Sequence, residues 1–103
     1  MFLSWFEWEP YDSRKVENTT GDGWMVDTAK VCDRSWTYET GVKHKDFRLG
    51  EWVIVAGCNT KEEAVKNHYE WVKKLREGVD ELHDIWEDIT YEKDYDDEEG
   101  GDD

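Results

Sequence analysis

Carboxylates are the residues of this 103-residue chain with the most evident chemistry, and they are unevenly placed. Residues 1–76 hold 13 acidic and 12 basic side chains, whereas residues 77–103 hold 14 acids and one base, Lys93. Nearly all of the net charge of -14 therefore belongs to one end. Asp80, Glu81, Asp84, Glu87 and Asp88 come first, and Asp94, Asp96, Asp97, Glu98 and Glu99 follow. Carboxylates at this density imitate the charge of a nucleic-acid backbone. They are steered to basic grooves by fast, salt-dependent association. These ten residues are the candidate partner-binding set, and the partner they suit is a basic protein that normally binds DNA or RNA. A solvated face with a solubility tail is the plainer alternative, but solubility alone does not require such segregation.

Other chemistries fit less well. Asp94, Asp96 and Glu98 alternate like the start of a calcium loop, yet the glycine needed at the sixth position is Glu99. Cys32 and Cys58 have no CxxC pattern or histidine spacing around them, which argues against zinc and for two reduced thiols near strand ends. His44, His68 and His83 fall in separate segments, and His68 lies on an apolar helical stripe where a core histidine is expected. Gly21-Asp22-Gly23 is not followed by a helix and carries no further phosphate-binding fingerprint. No catalytic residue, metal or cofactor is expected, and the chain reads as a non-enzyme. Seven Trp invite base stacking, but a net-negative chain lacks the basic footprint of a nucleic-acid binder. Lys43, His44, Lys45 and Arg48 form the one basic cluster. It keeps open a single-strand binder whose acidic tail covers its own site.

These groups must be positioned by a small fold. Leu, Ile, Val and Phe number only 19, and the aromatics supply the remaining apolar area at low entropic cost. Phe2–Trp8 is aromatic and suits a first strand ended by Pro10, while residues 11–23 have loop composition. Trp24–Val31 reads as a strand, and Trp36, Tyr38, Thr40 and Val42 alternate as a half-buried strand does. The short Cys32–Ser35 link between them suits a tight hairpin. Trp52–Ala56 is apolar on both faces and is expected to be the best-covered strand. Most tryptophans fall at positions expected to face inward.

Thr60 and Glu63 have capping-box spacing, and Ala64, Val65, His68, Trp71, Val72 and Leu75 form one stripe before Gly78. A helix over 61–76 follows. Val79, Leu82, Trp86 and Ile89 recur at three and four, predicting a second, acidic helix over 79–90. Its Asp80–Asp84 and Asp84–Asp88 pairs repel at i,i+4 by roughly 0.2–0.5 kcal/mol each. Converting Asp80, Asp84 and Asp88 to Asn is expected to weaken partner binding several-fold and leave the fold intact. The expected architecture is α+β: a three- or four-stranded antiparallel meander packed by one helix, with the acidic helix completing a 1–90 domain. Residues 91–103 read as a disordered acidic tail.

Tyr38-Glu39-Thr40-Gly41-Val42-Lys43-His44, Gly50-Glu51-Trp52-Val53-Ile54-Val55 and Thr60-Lys61-Glu62-Glu63-Ala64, with His68 and Trp71-Val72, resemble a group of small tailed-phage and prophage proteins. The likeness covers residues 26–76. Lys45 and Ala56 stand where the group often has proline and glutamate. It implies a phage setting and a sheet-plus-helix module, and it brings no functional residues with it. In that setting the partner is a host defence or transcription protein, inhibited in the host cytoplasm. A virion or assembly accessory is the alternative role. Met1–Glu7 lacks the basic flank and small-residue cleavage pattern of a secretory leader, in keeping with a cytosolic protein.

Overall fold

The structure, a computed structural model, describes residues 15–32 and 35–94. In chain order these form β1 (Lys15–Thr20), β2 (Trp24–Lys30), β3 (Tyr38–His44), β4 (Trp52–Cys58), α1 (Lys61–Glu77), β5 (Glu81–Asp84) and β6 (Ile89–Glu92). Strands β1 to β4 lie side by side in chain order, each antiparallel to the next, and β5 pairs with β6 as a separate hairpin. The α+β class and the four-stranded meander under one helix agree with the sequence reading. The Phe2–Trp8 segment and the acidic residues beyond Asp94 lie outside the described residues.

Four expectations need correction. Residues 15–20, taken as loop, form β1. Its Val16, Thr19 and Thr20 are β-branched, but as an edge strand whose positions are half-buried or exposed it reads as polar. Strand β4 is not covered on both faces: Val53 and Val55 are buried inward, while Trp52 is 37% exposed. Among the described tryptophans only Trp24 is buried; Trp36 and Trp71 are half-buried and Trp86 is exposed.

The fourth correction is the largest, because residues 79–90 form no helix. They turn back as the β5–β6 hairpin, with Leu82 and Asp84 buried and Glu81 and His83 outward. The carboxylate of Asp84 accepts the N–H groups of Trp86 and Glu87, both at 2.8 Å, a local bond that competes with helix. Ile85, Ile89 and Thr90 are β-branched, and the repeated i,i+4 repulsions weaken the helical alternative. Asp88 then closes the loop in the left-handed region, at φ 60. The boundary expected at 90/91 falls inside β6, which continues through a bridge between Phe47 and Lys93.

Helix α1 forms as its punctuation implies. Glu63 N donates to Thr60 Oγ1 at 3.2 Å, and the same hydroxyl donates to Glu63 Oε1. Gly78, at φ 102, ends the helix with its N–H on the Lys74 carbonyl. Ala64, His68, Val72 and Leu75 face the sheet, where Val26, Val42, Val53, Phe47 and Leu82 complete the core. His68 is fully buried, with Nδ1 2.9 Å from Thr28 Oγ1 and Nε2 2.9 Å from Thr19 Oγ1. Thr28 in turn meets Thr40 Oγ1 at 2.9 Å. A neutral imidazole with one donor and one acceptor nitrogen is thereby satisfied on both sides. Burial holds its pKa below the ordinary 6.5, and the Glu17 and Asp27 carboxylates oppose that shift.

Candidate functional site: the acidic hairpin

The β5–β6 hairpin positions the sequence-predicted carboxylates, and it divides them. Asp84 is 2% exposed and faces inward. One oxygen takes the Trp86 and Glu87 amides. The other accepts Ile54 N–H at 3.2 Å and lies 3.4 Å from Arg48 Nη1. Ile85 N–H donates to the Ile54 carbonyl at 2.8 Å. The hairpin thus covers both polar groups of Ile54 on the edge of β4, where an open strand would otherwise invite pairing with another chain. Asp84 holds the site in place and presents nothing to a partner.

Asp80, Glu81, Glu87 and Asp88 are exposed. Glu87 is drawn to Arg48 Nη2 at 3.3 Å, and Asp88 to His83 Nε2 at 3.0 Å. His83 also bonds Thr90 across the hairpin at 2.7 Å. Glu81 stands directly opposite Glu92 in the register, on the outward side of the hairpin. Asp80, Glu81 and Glu92 have no cation paired with them among the described residues. Asp94 is exposed too, but its carboxylate accepts Leu49 N–H, tying the chain to the β3–β4 connection. Asp96, Asp97, Glu98 and Glu99 lie outside the described residues. Glu92, absent from the sequence-derived set, belongs with Glu81 once the strand register is known. Outward alternation in Ile89-Thr90-Tyr91-Glu92 was the available signal.

The connection that anchors Asp94 is strained. Arg48, Leu49 and Gly50 run consecutively through the left-handed region at φ 50, 54 and 81, and Leu49 is 85% exposed. The surroundings fix this turn: Phe47 is fully buried, and Arg48 Nη1 donates to the Trp52 carbonyl at 2.9 Å. The Arg48 guanidinium also stacks 5.1 Å over Tyr91.

The basic cluster expected at Lys43, His44, Lys45 and Arg48 does not assemble as one patch. His44 packs edge-on against Phe47 and accepts Asp46 N–H at Nδ1, at 3.0 Å. Burial lowers its pKa, partly offset by Asp46. Arg48 is occupied by Asp84 and Glu87, so only Lys43 and Lys45 present charge to solvent. Among the described residues no group of three or more His, Cys, Asp or Glu is placed to hold a metal ion. Cys32 is exposed and Cys58 half-buried, both as free thiols, and burial raises the pKa of Cys58. No helix among the described residues is long and apolar enough to cross a membrane. The chain matches no known family, no characterised protein and no solved structure.

Proposed function

We propose that the protein is a non-enzymatic binding protein whose acidic hairpin and C-terminal residues engage a basic site on a nucleic-acid-binding protein. One observation carries this reading: Glu81 faces Glu92 across a two-stranded ribbon, with no cation paired to either among the described residues. Directly opposed like charges destabilise a strand pair, so a cationic partner gains from relieving the repulsion as well as from attraction. The phage setting implied by the sequence resemblance makes that partner a host defence or transcription protein held inhibited. Asp80, Glu81, Glu92 and Asp88 are the contact residues, joined by Asp94 and the acids beyond it. Asp84 is excluded, being buried.

The test is capture from a bacterial lysate on the full chain and on a D80N/E81Q/D88N/E92Q variant, each washed at low and high salt. The expected result is a DNA- or RNA-binding protein retained at low salt, released at high salt and held several-fold less by the variant. DNA should then compete with the chain for that protein. Retention of no cationic protein by the unaltered chain at any salt overturns the reading.

A further inference from the structure

We infer that Leu49 is an apolar anchor for the protein partner, filling a pocket within that partner's basic surface. This deepens the function proposed above and rests on it, because one protein must supply both the cations and the pocket.

Leu49 is 85% exposed, whereas the next most exposed large apolar side chain among the described residues, Tyr69, is at 49%. It stands in the left-handed region, at φ 54 and ψ 32, between Arg48 at φ 50 and Gly50 at φ 81. Glycine and, less often, Asn and Asp adopt that region routinely; a leucine there destabilises the fold and buries little apolar area in return. Strain of this kind persists only where the surroundings impose it, and it clusters at ligand clamps and active sites. Here the surroundings do impose it. Phe47 is fully buried, and the Arg48 guanidinium holds the Trp52 carbonyl at 2.9 Å. Gly50 N–H donates to the Phe47 carbonyl at 2.9 Å, and Glu51 N–H to the Arg48 carbonyl at 3.0 Å. The turn therefore presents the side chain before any partner arrives, so that docking it loses little backbone freedom.

Neighbouring charge identifies the partner. The carboxylate of Asp94 accepts the Leu49 N–H, and Asp94 N–H donates to the Asp46 carbonyl at 2.7 Å. Leu49 thus stands where residues 95–103 begin, a stretch with six acids and no base. Chain connectivity alone keeps the Cα atoms of Asp96 and Asp97 within about 7 and 11 Å of that of Asp94. Arg48, beside Leu49, is taken up by Asp84 and Glu87. Lys45 and Lys93, the latter bridged to Phe47, are outnumbered by Asp46, Glu51, Glu87, Asp94 and the six acids beyond. A basic protein drawn to those acids meets Leu49 at the same place. An anionic lipid surface, or a second copy of a chain with net charge -14, is repelled instead.

The experiment takes as its probe the cationic protein that the unaltered chain retains from lysate at low salt, purified and immobilised. Binding kinetics are measured for the full chain and for its L49N, L49M and E81Q/E92Q variants. Leu49→Asn should be no less stable to urea than the unaltered chain, so that weaker binding by it is not a loss of fold. It should dissociate roughly ten- to a hundredfold faster, as the loss of one buried leucine implies, with association within about twofold. Leu49→Met, similar in volume, should dissociate at a rate closer to the unaltered chain than to Leu49→Asn. The E81Q/E92Q variant should instead slow association. A Leu49→p-benzoylphenylalanine chain irradiated with the same protein should cross-link to apolar residues flanked by Lys or Arg. Unchanged dissociation of Leu49→Asn overturns the inference, as does a cross-link confined to exposed charged residues. If E81Q/E92Q still slows association in that case, the acidic surface binds without the anchor. Retention of no cationic protein overturns both readings.

Discussion

Asp84 reaches across from the hairpin to accept the N–H of Ile54 at 3.2 Å, joining two segments 30 residues apart. With Ile85 N–H on the Ile54 carbonyl, it makes the hairpin a cover for the edge of β4. Asp84→Ala removes the acceptor for three amides and leaves Glu87 as the one carboxylate paired with Arg48 among the described residues. A fully buried amide left unsatisfied costs about 1–3 kcal/mol, and these three, being part-buried, regain some water when the hairpin loosens. The expected loss is about 2–4 kcal/mol of unfolding free energy in urea. Amide exchange should accelerate most at Ile54, Ile85 and Trp86. Unchanged protection at those three amides would refute the edge-cover role.

That relationship also explains what the sequence could and could not disclose. Helix α1 is legible because its signals are local: Thr60 and Glu63 cap it, Gly78 ends it, and the stripe between them has one period. The stretch from Val79 to Ile89 satisfies two periods at once. Val79, Leu82, Trp86 and Ile89 recur helically, while Leu82 and Asp84 alternate as a strand. The choice is made by an unpaired strand edge at Ile54, which no window around residue 84 contains. The acidity of the site was readable from composition. The separation of buried Asp84 from outward Glu81, and the pairing of Glu81 with Glu92, required the register.

His68 makes stability depend on pH. Its folded-state pKa lies below the ordinary 6.5 because burial disfavours the imidazolium. Between the folded value and 6.5 the unfolded chain binds the extra proton, so stability rises with pH in that window. The contribution is fully present above about pH 6.5 and is lost progressively as pH falls towards the folded pKa. His44 is shifted the same way and adds to the slope. Urea unfolding at pH 7.5 and at pH 5 should show the loss, and His68→Gln should flatten the dependence while lowering stability at both values. An unaltered slope in the variant would exclude His68 as its source.

Leu49 marks a site where a substitution should stabilise. It sits at φ 54 and ψ 32 with its side chain 85% exposed, so it bears the left-handed cost and gains little packing in return. Asparagine enters this region more readily than a branched apolar residue. Leu49→Asn should raise the unfolding free energy by about 0.5–1 kcal/mol, with the bond from residue 49 N–H to Asp94 retained. A fall in stability would mean that the Leu49 side chain packs against something it does not touch among the described residues.

Glu81 and Glu92 separate a functional acidic surface from a passive one, because the two roles predict effects of opposite sign. Removing directly opposed like charges should strengthen the ribbon, so Glu81→Gln with Glu92→Gln is expected to add roughly 0.2–1 kcal/mol of stability. Added salt screens the same repulsion, so it should stabilise the unaltered chain more than the double variant. Binding to a cationic partner should move the other way, weakening several-fold at low salt, chiefly through slower association. If the surface serves solubility alone, the variant becomes more stable and its association with basic proteins does not change. Measuring unfolding free energy and association rate on one pair of proteins therefore decides the matter. A gain in the first with a loss in the second is the signature of carboxylates kept, at a cost to folding, for a partner.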